Sequence, residues 1–257
     1  MSNLPVSSRE YKLLLNADRF KEREPAIDLF FKFIKPLIEK EGGTCSAKQP
    51  DEERRLTIYL DTGLLAFSQE GFILRLRELK ADLKYRSGDR YESANADVTS
   101  PKGKPEFEED ILPPFSSKFS QSTKIEVSGP ADLDTAGKAA ALFPGLAALG
   151  LDPGTPVGPV NGFRVKEVVR KFMSFRFGSQ KIKASLNFWY LEDSETEWPL
   201  IAEFSFKYDA SNKPEAGRLE EFEAETVAGA GRFFRSLQKY QDWLSPNGTT
   251  KTAFALE

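Results

Sequence analysis

Four cations, Arg75, Arg77, Lys84 and Arg86, crowd into the stretch 71–87, GFILRLRELKADLKYRS. The stretch reads as a hairpin with a tight turn around Lys80, Ala81 and Asp82. In its first strand Phe72, Leu74 and Leu76 face one way and Ile73, Arg75 and Arg77 the other. In its second strand Leu83 and Tyr85 oppose Lys84 and Arg86. All four cations then share one sheet face, and like charges directly opposite each other are destabilising. Either water solvates that face or an anion meets it. The remaining chemistry is narrowed by the absence of histidine from the 257 residues. Histidine-assisted serine or cysteine nucleophiles, histidine-held zinc and histidine proton relays are all excluded. Reactions here would run on carboxylates, Lys and Arg, with Mg²⁺ or Mn²⁺ as the natural metals for oxygen ligands.

The balance of 36 Lys and Arg against 39 Asp and Glu gives a net charge of −3, which argues against broad electrostatic attraction to extended nucleic acid. No apolar run approaches the roughly 20 residues of a membrane helix, and residues 139–151 are interrupted by Pro144, Gly145 and Gly150. The start, MSNLPVSSREYK, has no apolar signal core, and the single Cys45 excludes an internal disulfide. A cytoplasmic monomer or homodimer away from membranes is expected, with Cys45 a bystander. The length suits one elaborated domain spanning 1–257.

The elements that must position the cations are mostly strands. Residues 6–14, 56–61, 105–111, 123–128, 164–177, 182–191 and 200–208 alternate polar and apolar side chains. Glu10 and Lys12 share a face in the first, and Glu203 and Ser205 share one in the last. Helices are expected from Pro25 to Gly42, where Pro36 should kink or split the element, over 135–143, and over about 228–244. Residues 88–105 read as a loop insertion and 129–160 as a Gly- and Pro-rich seam. Sheets that are charged on one face and apolar on the other can form a sandwich, with the charges in water, or a closed barrel, with the charges inside. The helical stripes available to cover the apolar faces favour the barrel. Its interior would hold Arg75, Arg77, Lys84, Arg86, Arg170 and Arg176 with Glu10, Glu126 and Glu203, a site for a polyanion and its cation. Glu106, Glu108, Lys183 and Lys207 read instead as structural ion pairs, as Arg176 itself also does residue by residue.

In order along the chain, SREYK, IYLDT, GFILRLR, LKYRS and AEFSF resemble the CYTH superfamily, the triphosphate tunnel metalloenzymes, over most of residues 6–208. The resemblance implies a mainly β fold, a closed eight-stranded antiparallel tunnel with a charged interior and helices packed outside. It also implies a metal-dependent hydrolase of inorganic tripolyphosphate, thiamine triphosphate or a nucleoside triphosphate. By that resemblance Arg75, Arg77, Lys84, Arg86 and Arg170 would hold phosphate. Glu10, Glu126 and Glu203 would hold Mg²⁺ or Mn²⁺, and Lys12, Glu10 and Glu203 would take part in catalysis. Two positions depart from the family pattern. Ser8 stands where the Glu-x-Glu-x-Lys signature has its first carboxylate, and Ser205 replaces the second carboxylate of the late Glu-x-Glu pair. A serine hydroxyl is a weak partner for a hard divalent cation. The alternatives are therefore a non-catalytic polyphosphate- or nucleotide-binding module that has lost metal ligands, and an adenylate cyclase of the class IV type.

Overall fold

A computed structural model describes residues 4–192, 198–210, 222–246 and 251–256. Among these residues nine strands close into one barrel. They are β1 (Ser8–Leu15), β2 (Thr44–Thr62), β3 (Phe72–Arg77), β4 (Lys80–Ser87), β5 (Pro105–Leu112), β6 (Ser116–Glu126), β7 (Val157–Arg176), β8 (Ile182–Leu191) and β9 (Ile201–Asp209). Around the ring they run β1-β5-β6-β4-β3-β2-β7-β8-β9, and β9 closes on β1. The expected closed barrel is therefore present with nine strands rather than eight. An odd number of strands cannot alternate direction all the way round, so one neighbouring pair must be parallel. That pair is β1 and β5, matched over Ser8–Tyr11 and Glu108–Ile111.

The period-two pattern decides what faces where. Tyr11, Leu13, Phe188, Phe204 and Phe206 point outward and pack with Ile27, Phe30 and Ile34 of α1 (Arg23–Lys40) and with Phe233 and Phe234 of a C-terminal helix. On the other flank Ile58, Leu74, Leu76, Leu83 and Ile125 meet Ala136, Ala139 and Phe143, which lie in and beside a short alanine-rich helix. Burying one such side chain contributes about 1.5–3 kcal/mol, so the apolar faces hold the barrel from outside and leave the charged faces within. Pro36 lies inside a continuous α1 rather than dividing it, with Ile34, Leu37 and Ile38 buried on either side. The remaining helices are α2 (Ala66–Gln69), α3 (Arg90–Asn95) inside the expected loop, α4 (Ala136–Leu142), α5 (Ala224–Leu237) and α6 (Lys251–Leu256). None is long and apolar enough to cross a membrane.

Three local features shift the site relative to expectation. The β3–β4 turn falls at Glu78 and Leu79, two residues earlier than expected. Glu78 adopts a left-handed φ of 50°, and its carboxylate accepts from Leu56 N at 2.6 Å. Asp82 thus lies within β4, opposite Arg75, instead of in a turn. In β7 the pairing with β8 slips between Lys171 and Met173, so the extra residue, Phe172, moves the following side chains to the opposite face. Lastly, Asp61 ends β2 as a structural cap, accepting from Phe67 N and Ser68 N of α2 at 2.9 Å each.

Candidate functional site

The barrel encloses a cavity of about 580 Å³ lined by ten cationic and seven anionic side chains. The lining is richer in cations than the chain as a whole, whose net charge is −3. Each wall follows from strand alternation: Glu10 and Lys12 from β1, Arg55 from β2, Arg75 and Arg77 from β3, Asp82, Lys84 and Arg86 from β4, Glu108 and Asp110 from β5, Glu167 from β7, and Glu203 and Lys207 from β9. At the rim the side chains of Glu53, Lys124 and Lys171 are 46%, 51% and 44% exposed, which marks the open mouth.

Near β1 and β5, Lys12 Nζ lies 2.7 Å from Asp110 Oδ1 and 3.1 Å from Glu10 Oε2, while Arg86 approaches the other oxygen of Asp110 at 3.0 Å. Burial alone would lower the Lys12 pKa, but Asp110 and Glu10 outweigh it and raise it. Burial would likewise raise Asp110, yet Lys12, Arg86 and Lys84 hold it well below the usual carboxylate range. Glu108 is bound by Lys207 at 2.5 Å; despite burial, Lys84 and Lys207 bring it to about 2. Lys84 itself is lowered, because its burial exceeds the attraction of Asp110 and Glu108.

Deeper in the barrel, Glu167 is fully buried and organises a second cluster. Its carboxylate accepts from Arg55 Nε at 2.7 Å, Trp189 Nε1 at 3.1 Å and Lys251 Nζ at 3.2 Å, with Arg77 Nε at 3.4 Å. Burial is outweighed by Lys251, Arg77 and Arg55, so Glu167 stays ionised well below the ordinary range. Arg75 is paired with Asp82, its partner across the hairpin. Burial and the adjacent Arg75 together push the Arg77 guanidinium down to about 10. Among the described residues, the Nε atoms of Arg75, Arg77 and Arg86 in the cavity, and of Arg170 outside it, are buried without a hydrogen-bond acceptor, although Arg77 Nε is ion-paired with Glu167 and Arg86 Nη2 with Asp110. Unsatisfied buried donors of this kind cost about 1–3 kcal/mol each, more when charged. Three arginines that retain such donors inside one cavity could donate to the anionic oxygens of a ligand.

Of the residues singled out from sequence, Glu10, Lys12, Arg75, Arg77, Lys84, Arg86 and Glu203 come together in the cavity. Two do not. Arg170 lies on the outer face, bound to Glu24 at 2.9 Å and Glu52 at 3.1 Å. Strict alternation back from Met173 and Phe175 puts it inside, and the bulge at Phe172 reverses that. Glu126 is exposed at the end of β6, opposite Lys80 and beyond the lining formed by Ser122 and Lys124. Arg176 is exposed as well and donates to Ser179 O. Glu108 and Lys207, read as structural pairs, do pair, and they also line the cavity. Sequence reading passed over Asp110, which continues the Glu106–Glu108 alternation, and over Arg55, Asp82 and Glu167. It also passed over Lys251, whose surroundings give no periodic signal.

The donor set does not suit a divalent cation. No group of three or more acidic or cysteine side chains among the described residues is placed to hold one. Glu10 and Asp110 enclose the Lys12 ammonium, and Glu203 and Glu167 enclose that of Lys251, at 2.9 and 3.2 Å. Glu10 faces Lys207 and Glu203 faces Leu14, so four residues of β1, roughly 13 Å of strand, separate their positions. Ser8 Oγ donates to Glu108 at 3.1 Å, and Ser205 Oγ lies 3.1 Å from Ser185 Oγ.

No protein-family model and no curated protein sequence matches the chain. Among solved structures, HpAC1 from Hippeastrum, a candidate adenylyl cyclase with a dominant triphosphatase activity, aligns with a TM-score of 0.46 at 14% identity, over 96% of this chain and 94% of that one. A candidate adenylate cyclase from Bacillus halodurans gives 0.42 at 10% identity over 98% of both chains. One from Vibrio parahaemolyticus gives 0.34 at 10% identity over 97% of both. Likeness at this level carries no argument about activity, and the barrel rests on its own strand pairing.

Proposed function

We propose that this protein binds the triphosphate group of a small molecule inside the barrel and hydrolyses a phosphoanhydride bond, as a divergent relative of the triphosphate tunnel enzymes its motifs resemble. The observation that carries the reading is the set of buried, acceptor-less donors on Arg75, Arg77 and Arg86 in a cation-rich cavity. Phosphate oxygens would satisfy those donors, and the same guanidinium groups would offset the charge that develops on the leaving phosphate. Lys12, already fixed between Glu10 and Asp110, adds a second positive point beside them. Glu203 is the lining carboxylate assigned to orienting the attacking water, the bond broken being that from phosphorus to the bridging oxygen. The single cysteine suits a reducing cytoplasm.

The test is release of orthophosphate from tripolyphosphate, thiamine triphosphate and ATP, in Mg²⁺, Mn²⁺ or EDTA, alongside calorimetric binding of each. Release that Glu203→Gln abolishes while the fold survives is the expected outcome. Binding without release supports the second reading, a polyphosphate-binding module, which the lysine-occupied carboxylates and the two serines favour. Cyclic AMP formed together with pyrophosphate from ATP identifies a cyclase. Absence of both binding and release overturns the proposal.

A further inference from the structure

Among the described residues, every carboxylate that lines the barrel is already paired with a cation of the chain. Lys12 Nζ sits between Asp110 and Glu10, at 2.7 and 3.1 Å, and Lys251 Nζ sits between Glu203 and Glu167, at 2.9 and 3.2 Å. Asp82 is paired with Arg75, Glu53 with Arg55 at 2.9 Å, and Glu108 with Lys207 at 2.5 Å. Two of these carboxylates are held from a second side as well, Asp110 by Arg86 at 3.0 Å and Glu167 by Arg55 at 2.7 Å. The two ammonium groups thus do what a divalent cation does among acidic side chains, each bridging two carboxylates that would otherwise repel. The positions that could enlarge an acidic set are serines with partners of their own, Ser8 on Glu108 and Ser205 on Ser185. Hydrogen-bonding capacity left in the lining lies with the cations, in the Nε donors of Arg75, Arg77 and Arg86.

Resting on the proposed function, we infer that the ligand is taken as the metal-free polyphosphate anion and that Mg²⁺ opposes its binding. Lys12 and Lys251 are fixed charges of the wall, held where acidic side chains would otherwise call for a metal. A Mg²⁺ ion chelated by a triphosphate cancels two of its negative charges and covers oxygens that the arginine donors need. It also brings a positive ion against walls that carry ten cations. Each of the seven lining carboxylates has to release its lysine or arginine before it can hold that ion, and the released cation is then left buried and unpaired. The chelate is disfavoured on both counts, so the free anion is the form bound. Affinity for triphosphate therefore falls as free Mg²⁺ rises. Because the effect acts through the ligand, any divalent cation that chelates polyphosphate, Ca²⁺ included, acts in the same direction.

The experiment is calorimetric titration of the full chain with linear tripolyphosphate in EDTA, in excess Mg²⁺ and in excess Ca²⁺, at one ionic strength set with NaCl so that screening is equal. Wild type is expected to bind at least about tenfold more weakly in either divalent cation than in EDTA, equivalent to about 1.4 kcal/mol. Affinity that is equal in the three buffers, or greater with Mg²⁺, overturns the inference and leaves the polyphosphate reading standing. If tripolyphosphate binds in none of them, the proposed function itself fails. The part played by the lysines is read from Lys12→Met and Lys251→Met, as the ratio of affinity in EDTA to affinity in Mg²⁺. Each variant removes an ammonium shared by two carboxylates, so the ratio is expected to shrink by a factor of about three or more. A wild-type ratio in both folded variants overturns the assignment of the lysines. If neither variant folds, the comparison of buffers on wild type still decides the inference.

Discussion

Lys12 on β1 pairs with Asp110 on β5 at 2.7 Å, across the parallel junction that an odd-stranded ring requires. The pair links the structural oddity of the barrel to its chemistry, because Asp110 is 1% exposed and also holds Arg86. Deleting one partner of a buried pair costs about 3–5 kcal/mol, since it strands the other charge. Lys12→Met is expected to lose about 3 kcal/mol in urea unfolding. Adding Asp110→Asn should recover part of that loss. A double-mutant cycle with coupling near zero would remove the pair from the account of the junction.

Arg77 predicts an opposition between stability and binding. Its guanidinium is buried, repelled by Arg75 and short of an acceptor, so the empty protein gains little from it. Glu167 keeps Arg55 and Lys251 without it. Arg77→Met is expected to leave the melting temperature unchanged or higher while weakening tripolyphosphate binding at least about tenfold. A variant that loses stability and keeps its affinity would make Arg77 a structural residue.

Much of this was legible because most strands obey the period of two. Glu10, Lys12, Arg75, Arg77, Lys84, Arg86 and Glu203 all face inward, as their apolar neighbours indicated. Legibility ended where the period broke or long-range packing took over. The bulge at Phe172 misplaced Arg170, and a turn two residues early hid Asp82. Lys251 is recruited by a helix more than 80 residues beyond Glu167, a contact that no local pattern encodes.

The acid limb of stability follows from the lining carboxylates. Glu108 titrates near 2 in the folded protein against an ordinary 4.5, and Asp110, Glu167 and Asp82 are lowered as well. Between those values the unfolded chain binds more protons than the folded one, so stability is complete above the ordinary carboxylate range and falls as pH drops toward 2. Urea midpoints measured from pH 6 to 2 should hold level and then decline below about 4.5. Lys207→Met should shallow that decline by removing a cation that holds Glu108 ionised. A midpoint that rises on acidification contradicts the assignment.

Arg170 and Glu126 serve as internal controls, because both lie outside the cavity lining. Arg170→Ala breaks pairs on the outer face with Glu24, which is exposed, and Glu52, which is mostly buried, at a cost of about 1 kcal/mol or somewhat more in stability rather than in binding. Both Arg170→Ala and Glu126→Gln are expected to bind tripolyphosphate within a factor of about two of wild type. A large loss in either one would show that the ligand reaches past the barrel interior.

Glu10 and Asp110 face each other in register on β1 and β5, with Lys12 between their carboxylates, and Ser205 lies opposite Lys12 on β9. In wild type the ammonium group satisfies both carboxylates, so tripolyphosphate should bind in EDTA at least as tightly as in Mg²⁺. Replacing the ammonium and restoring the carboxylate, as Lys12→Met with Ser205→Glu, leaves three acidic side chains around the vacated position, a donor set of the kind hard divalent cations prefer. That double variant should be destabilised without metal, because its carboxylates repel, and regain stability as Mn²⁺ is added. A ligand that binds only the folded state raises stability by about 2.7 kcal/mol at a hundred times its Kd. Melting curves across a Mn²⁺ series, with wild type alongside, provide the measurement. The same Mn²⁺ response in both proteins would mean that Lys12 does not stand in for a cation.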